Sequence, residues 1–125
     1  MGLSSKTGKV FVYNEYQYVG LYAKIITIPS DGGKKIQLGV YASKTAADAG
    51  TGIITLVEKN LSDEEHATYF YPTKAALKAT LDQFVAEDSD TVNLKGLAIN
   101  AAYKAMLELG NIGQFKPAEW EESAT

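Results

Sequence analysis

An α+β fold is what this sequence predicts: an antiparallel sheet of four or five strands over residues 8–72, followed by two C-terminal helices packed on one of its faces. Three observations carry that reading. β-branched and aromatic residues crowd the first 72 positions, with stretches that alternate apolar and polar. After Pro72 the apolar spacing changes to that of amphipathic helices. Strands first and helices last, in a chain of 125 residues, suit one domain large enough to bury a core without disulfides.

The elements follow in order. Lys9 to Tyr13 alternates, and Tyr16 to Ile28 is rich in strand-forming residues. Pro29-Ser30-Asp31-Gly32-Gly33 is a turn by composition, and Lys34 to Ser43 alternates again, so residues 20–42 read as a hairpin. Thr45 to Gly52 is a loop or one short helical turn, Gly52 to Glu58 a third long strand, and His66 to Tyr71 a shorter one. Thr73 to Glu87 sets Leu77, Leu81, Phe84 and Val85 on one stripe. Asp88-Ser89-Asp90-Thr91 supplies caps, and Val92 to Leu109 carries Leu94, Leu97, Ala98, Ala101, Ala105 and Leu109 on one face, with Gly110 as its stop. The predicted core joins Leu77, Leu81, Phe84, Leu97, Ala101 and Leu109 to Ile36, Leu38, Val40 and Leu56. Residues 1–116 form the domain. From Pro117 onward, three charges and two small polar residues surround Trp120, too little apolar surface to offset ordering entropy, so residues 117–125 read as a mobile acidic tail.

Composition excludes several functions. There is no cysteine, hence no disulfide framework and no thiol chemistry. No apolar stretch is long enough to span a membrane, and the first residues lack a signal peptide's apolar run, so a cytoplasmic setting is expected. All twelve basic residues are Lys. Arg supplies the bidentate forks for phosphate and guanine edges, and Lys is only a point charge, so its absence argues against sequence-specific DNA readout. The single imidazole, His66, has no nucleophile motif around it. It follows Asp63, Glu64 and Glu65, but Ser62 with Glu65 makes a capping box and no metal-ligand spacing is present. Gly2 to Val10 fails the phosphate-loop pattern, because five residues separate Gly2 from Gly8 and Val10 stands where Ser or Thr would bind magnesium. No catalytic residue, metal or cofactor is expected, and the chain reads as a non-enzymatic protein.

The remaining signal is aromatic. Tyr13, Tyr16, Tyr18 and Tyr22, half of the chain's eight tyrosines, fall within ten residues. On a strand, Tyr16, Tyr18, Tyr22 and Lys24 share parity; on its hairpin partner so do Lys35, Gln37 and Tyr41, while Ile36, Leu38 and Val40 point to the core. One solvent-exposed sheet face carrying Tyr16, Tyr18, Tyr22, Lys24, Lys35, Gln37 and Tyr41 is therefore the predicted binding site, with Gly20 and Gly39 as flat gaps in it. Ile26 has the parity of Lys24, which requires a bulge or a partly covered face. Tyr-rich faces suit protein interfaces, so an adaptor, inhibitor or assembly subunit with a protein partner or self-association is the first reading. The alternative is a single-stranded nucleic-acid binder that stacks bases on Tyr and carries an acidic C-terminal tail. A net charge of −3 weighs against it.

Overall fold

The computed structural model describes residues 2–29, 33–71, 73–76, 78, 94–112 and 115–123. Its strands are β1 (Leu3–Ser5), β2 (Phe11–Tyr13), β3 (Tyr16–Tyr18), β4 (Tyr22–Thr27), β5 (Lys35–Tyr41), β6 (Ile53–Asn60) and β7 (Trp120–Glu122). Its helices are α1 (Lys44–Ala49), α2 (Asp63–Phe70) and α3 (Leu94–Leu109). The antiparallel sheet has five strands in the order β6-β5-β4-β1-β7, and β2 and β3 form a separate two-stranded ribbon.

The predicted hairpin is β4 and β5, aligned with Tyr22 opposite Tyr41 and Ile25 opposite Leu38. That register drives Ala23, Ile36, Leu38 and Val40 into one core with Leu3, Leu21, Val57 and Met106, each almost free of solvent contact. The ribbon turns through Asn14 and Glu15, both at positive φ (51° and 71°), the pattern of a two-residue hairpin loop whose twist matches its strands. α1 is closed at both ends. Ser43 Oγ accepts from the Ala46 N–H, and Gly50 in the left-handed conformation donates to the Ala46 and Ala47 carbonyls.

Several sequence expectations change. The sheet does not run through residues 8–72: β1 begins at Leu3, and β2 and β3 leave the sheet for the ribbon. His66 to Tyr71 is not a strand. The capping box of Ser62 and Glu65, with Asp63, Glu64 and Glu65 in the first turn, starts α2 there. The helices are not gathered at the C-terminus; of the helix expected over 73–87, residues 74–76 and 78 are helical and the rest lies outside the described residues. α3 covers the core side while α1 packs on Tyr22 and Tyr41 on the other side, and the chain ends in a strand. Leu77, Leu81 and Phe84 lie outside the described residues.

α3 also sits rotated from the expected stripe. Of that stripe Ala105 is buried, together with Ala102, Tyr103 and Met106, whereas Leu97, Ala98, Ala101 and Leu109 are half-buried. The sheet selects the face on which Ala102 and Ala105 allow close approach. Tyr103 then reaches β4, and its hydroxyl accepts from the Ile25 N–H at 2.8 Å. Gly110 ends α3, donating to the Met106 carbonyl.

The segment expected as a tail from Pro117 is instead a 3₁₀ turn (Pro117–Glu119) leading into β7, which pairs with β1. Trp120 is 2% exposed, stacked on Phe115 at 5.2 Å and tilted against Phe11 at 5.5 Å. Two aromatic neighbours and a strand edge supply the burial that the segment's own sequence lacks.

Candidate functional site

The face of the sheet turned away from α3 forms a grid that the register fixes. One row runs Ser4, Tyr22, Tyr41, Ile53; the next Lys24, Gly39, Leu56; the third Thr27, Gln37, Glu58; the last Lys35, Asn60. α1 lies over the first row. Ala47 closes with Tyr22 and Tyr41 into a small buried cluster, and a Cβ at Gly2 would run into the Tyr22 ring. Tyr22 and Tyr41 are therefore 3% and 9% exposed. The expectation that both face solvent is overturned, because alternation puts them on the outer face but not in water.

Beyond α1 the face is open. The pairing shifts between Ile25 and Thr27, so Ile26 is an extra residue that the bulge turns outward. Its Cδ1 would lie 2.8 Å from a Cβ built on Gly39, and the Cδ1 of Ile53 3.1 Å away. Gly39 is thus not a flat gap for a planar ligand: two isoleucine tips lean into it. Ile26, Ile53 and Leu56 are 49%, 47% and 51% exposed. Leu56, expected in the core, belongs to this patch because it pairs with Gly39, a residue with no side chain to cover it.

Polar groups frame the patch. Thr27 Oγ1 donates to Gln37 Oε1 at 2.7 Å, Gln37 Nε2 donates to Glu58 Oε1, and Lys35 Nζ stands 3.9 Å from the same carboxylate. Lys24 is exposed beside it. These contacts hold the rim in one arrangement. All of the patch is on strands, so its geometry is set by the ladder rather than by a loop.

Of the predicted residues, the structure brings Lys24, Lys35 and Gln37 together here. Tyr16 and Tyr18 are elsewhere, on the ribbon. Tyr16 is exposed near its tip and Tyr18 is half-buried, with its ring 6.5 Å from that of Tyr13. Gly20, at φ 66°, belongs to the bend between ribbon and sheet. Ile26 and Ile53 were missed as site residues. The parity of Ile26 with Lys24 was the available signal for the first, and a bulge in β6, between the partners of Val40 and Tyr41, hid the second.

Two other features bear on chemistry. Among the described residues no group of three or more His, Cys, Asp or Glu could hold a metal ion. His66 stacks on Phe70 at 5.4 Å and meets Tyr71 edge-on. A cleft of about 920 Å³ is lined by residues of α2 and α3, including Tyr69, Tyr103 and Lys104. Burial, together with the hydrogen bond to Glu108, pushes the Tyr69 hydroxyl up to about 12. A phenol so reluctant to ionise is a hydrogen-bond donor, not a base. No helix among the described residues is long and apolar enough to cross a membrane.

No protein-family model matches the chain, and no curated protein or solved structure does.

Proposed function

We propose that this chain is a non-enzymatic interaction protein (an adaptor, inhibitor or assembly subunit) whose contact surface is the open part of the outer sheet face. Lys24, Lys35 and Gln37 supply the polar rim, and Ile26, Ile53 and Leu56 the apolar centre. The observation that carries this reading is the gathering of three half-exposed aliphatic side chains around Gly39, Ile26 and Ile53 leaning toward it and Leu56 paired with it. An apolar centre inside a polar rim is the usual anatomy of a protein contact. A cysteine-free chain suits a reducing compartment, so the partner is sought in the cytoplasm.

Magnitudes limit what the patch does alone. Burying the exposed halves of three aliphatic side chains yields roughly 2–4 kcal/mol. Association costs about 4–15 kcal/mol in lost translational and rotational freedom. The patch therefore works as the centre of a larger contact that includes neighbouring backbone.

The nucleic-acid alternative has less support. A stacking platform needs several exposed rings on one surface, and Tyr22 and Tyr41 are covered while Tyr16 stands apart on the ribbon. The test compares wild type with Leu56→Lys and Ile26→Ser as baits in quantitative affinity capture, alongside a salt series with a labelled single-stranded oligonucleotide. Proteins recovered by wild type and lost with both variants support the reading. Identical recovery from all three baits refutes it, and oligonucleotide binding that weakens with salt and with Tyr16→Ser would move the assignment to nucleic acid.

A further inference from the structure

The two edges of the sheet are unlike. β7 is three residues long and carries Glu121 and Glu122. β6 is eight residues long, the longest strand, and among the described residues no strand pairs with its outer side. Its sequence, IITLVEKN, holds no Pro and no Gly, and it carries one acid and one base, Glu58 and Lys59. Native proteins blunt exposed edges with short strands, charge, Pro or a covering element. β7 has the first two of these. β6 instead offers a row of strand-forming residues, and the apolar patch runs up to it through Ile53 and Leu56.

We propose that β6 pairs antiparallel with β6 of a second copy of this chain, joining the two sheets edge to edge in a closed dimer. This rests on the reading that the open outer face is a contact surface, and it places a second copy at the β6 margin of that face. Unpaired backbone N–H and C=O groups select a β-strand as partner, not a helix or a loop. Charge selects the strand. Two β7 edges would set four carboxylates side by side, whereas two β6 edges bring together equal numbers of acids and bases. A β6-to-β7 contact would match only three residues and, being head-to-tail, would not close as a pair. The β6-to-β6 contact uses the same edge twice and ends there.

Geometry then joins the patches. Antiparallel neighbours show the same face at opposite positions, so a twofold axis perpendicular to the sheet keeps both outer faces on one side. An axis near Leu56 places that side chain against its copy and makes one apolar strip across the junction, flanked by Ile53 of each chain. The backbone pairing is the additional contact that the patch alone lacks.

The experiment uses the full chain. Light scattering on the eluting wild type should give twice the chain mass of 13.5 kDa, and Leu56→Lys should return it to the single-chain mass with an unchanged circular dichroism spectrum. Because the chain has no cysteine, Leu56→Cys should form a disulfide-linked dimer on mild oxidation, and Glu121→Cys on the opposite edge should not. This second pair of variants decides the matter even if a lysine at 56 perturbs folding. A wild type of single-chain mass at its highest soluble concentration overturns the proposal. A dimer that Leu56→Cys fails to link overturns it too, by placing the interface elsewhere. A wild type of single-chain mass whose protein capture still depends on Leu56 refutes self-pairing and leaves the contact surface standing. A single-chain mass with capture indifferent to Leu56 refutes both.

Discussion

The outer face of the sheet has two parts that differ by one short helix. Tyr22 and Tyr41, opposite each other on β4 and β5, are covered by α1; Ile53, at the β6 end of the same row, and Leu56 and Ile26, further along, are about half exposed. By sequence pattern the two parts would be ranked the other way, since aliphatic residues are more often buried than Tyr. Burial here follows what lies above the strand. α1 has capping residues at both ends and brings Ala47 down onto the rings. The other rows have no such cover among the described residues, and the bulge at Ile26 adds an apolar side chain to a face that already lacks one at Gly39.

The largest expected effect tests whether the covered part is core. Tyr22→Ala should destabilise by roughly 3–5 kcal/mol, as truncation of a buried aromatic does. Leu56→Ala in the same sheet should change stability by less than about 0.5 kcal/mol. Urea unfolding of the two variants under conditions that keep the chain monomeric measures both. Equal losses would erase the distinction between the parts. For the same reason Tyr18→Ser with Tyr41→Ser, which an exposed tyrosine platform would tolerate, should lose stability through Tyr41.

A smaller effect concerns the bulge that turns Ile26 outward. Tyr103 crosses from α3 to accept the Ile25 N–H beside it. Tyr103→Phe leaves that donor without its acceptor, at a cost of about 1–3 kcal/mol. Amide exchange at Ile25 should quicken in this variant relative to Leu38. Unchanged exchange would mean that the bulge holds its shape without the helix.

Removing the N-cap of α1 acts on the covered part alone. Ser43→Ala should cost about 1 kcal/mol. It should also raise the solvent accessibility of Tyr22 and Tyr41, read by tyrosine fluorescence quenching, while leaving the contact properties of Leu56 unchanged.

The smallest effect is in pH. The hydrogen bond from Lys44 holds the Asp48 carboxyl below its ordinary value of 3.8, and the same contact raises Lys44. A carboxylate whose folded value is depressed stabilises the fold above its unfolded value and loses that contribution as pH falls through the folded one. Docking of α1 should therefore loosen slightly below pH 3.8, seen as a shift of the Ala47 methyl resonance. Asp48→Asn should flatten that titration. The pair is fully exposed, so the change in global stability should be near the limit of detection.

Much of the local structure was legible. The β4–β5 hairpin, the inward parity of Ile36, Leu38 and Val40 and the stop of α3 at Gly110 all follow from neighbours in sequence; the capping box of Ser62 and Glu65 is visible there too, yet the residues after it read as a strand. The candidate surface was legible only in part. Lys24, Lys35 and Gln37 were placed on the right face, because parity within one strand is a local property. Ile26 was visible only as an anomaly of that parity, and Leu56 was assigned inward because a long apolar strand reads as buried on both sides.

What the sequence by itself determined is which residues share a face and where caps and turns begin and end, since those depend on contacts a few residues apart. Only the tertiary structure decided which faces are covered. Trp120 is buried because Phe11 and Phe115, which precede it by 109 and 5 positions, converge on it at the edge of β1. Tyr22 and Tyr41 are buried because a helix after β5 folds back over them. Whether a side chain meets water depends on surface removed by distant parts of the chain, and hydrophobic burial, being non-directional, leaves no local mark of which surface will arrive.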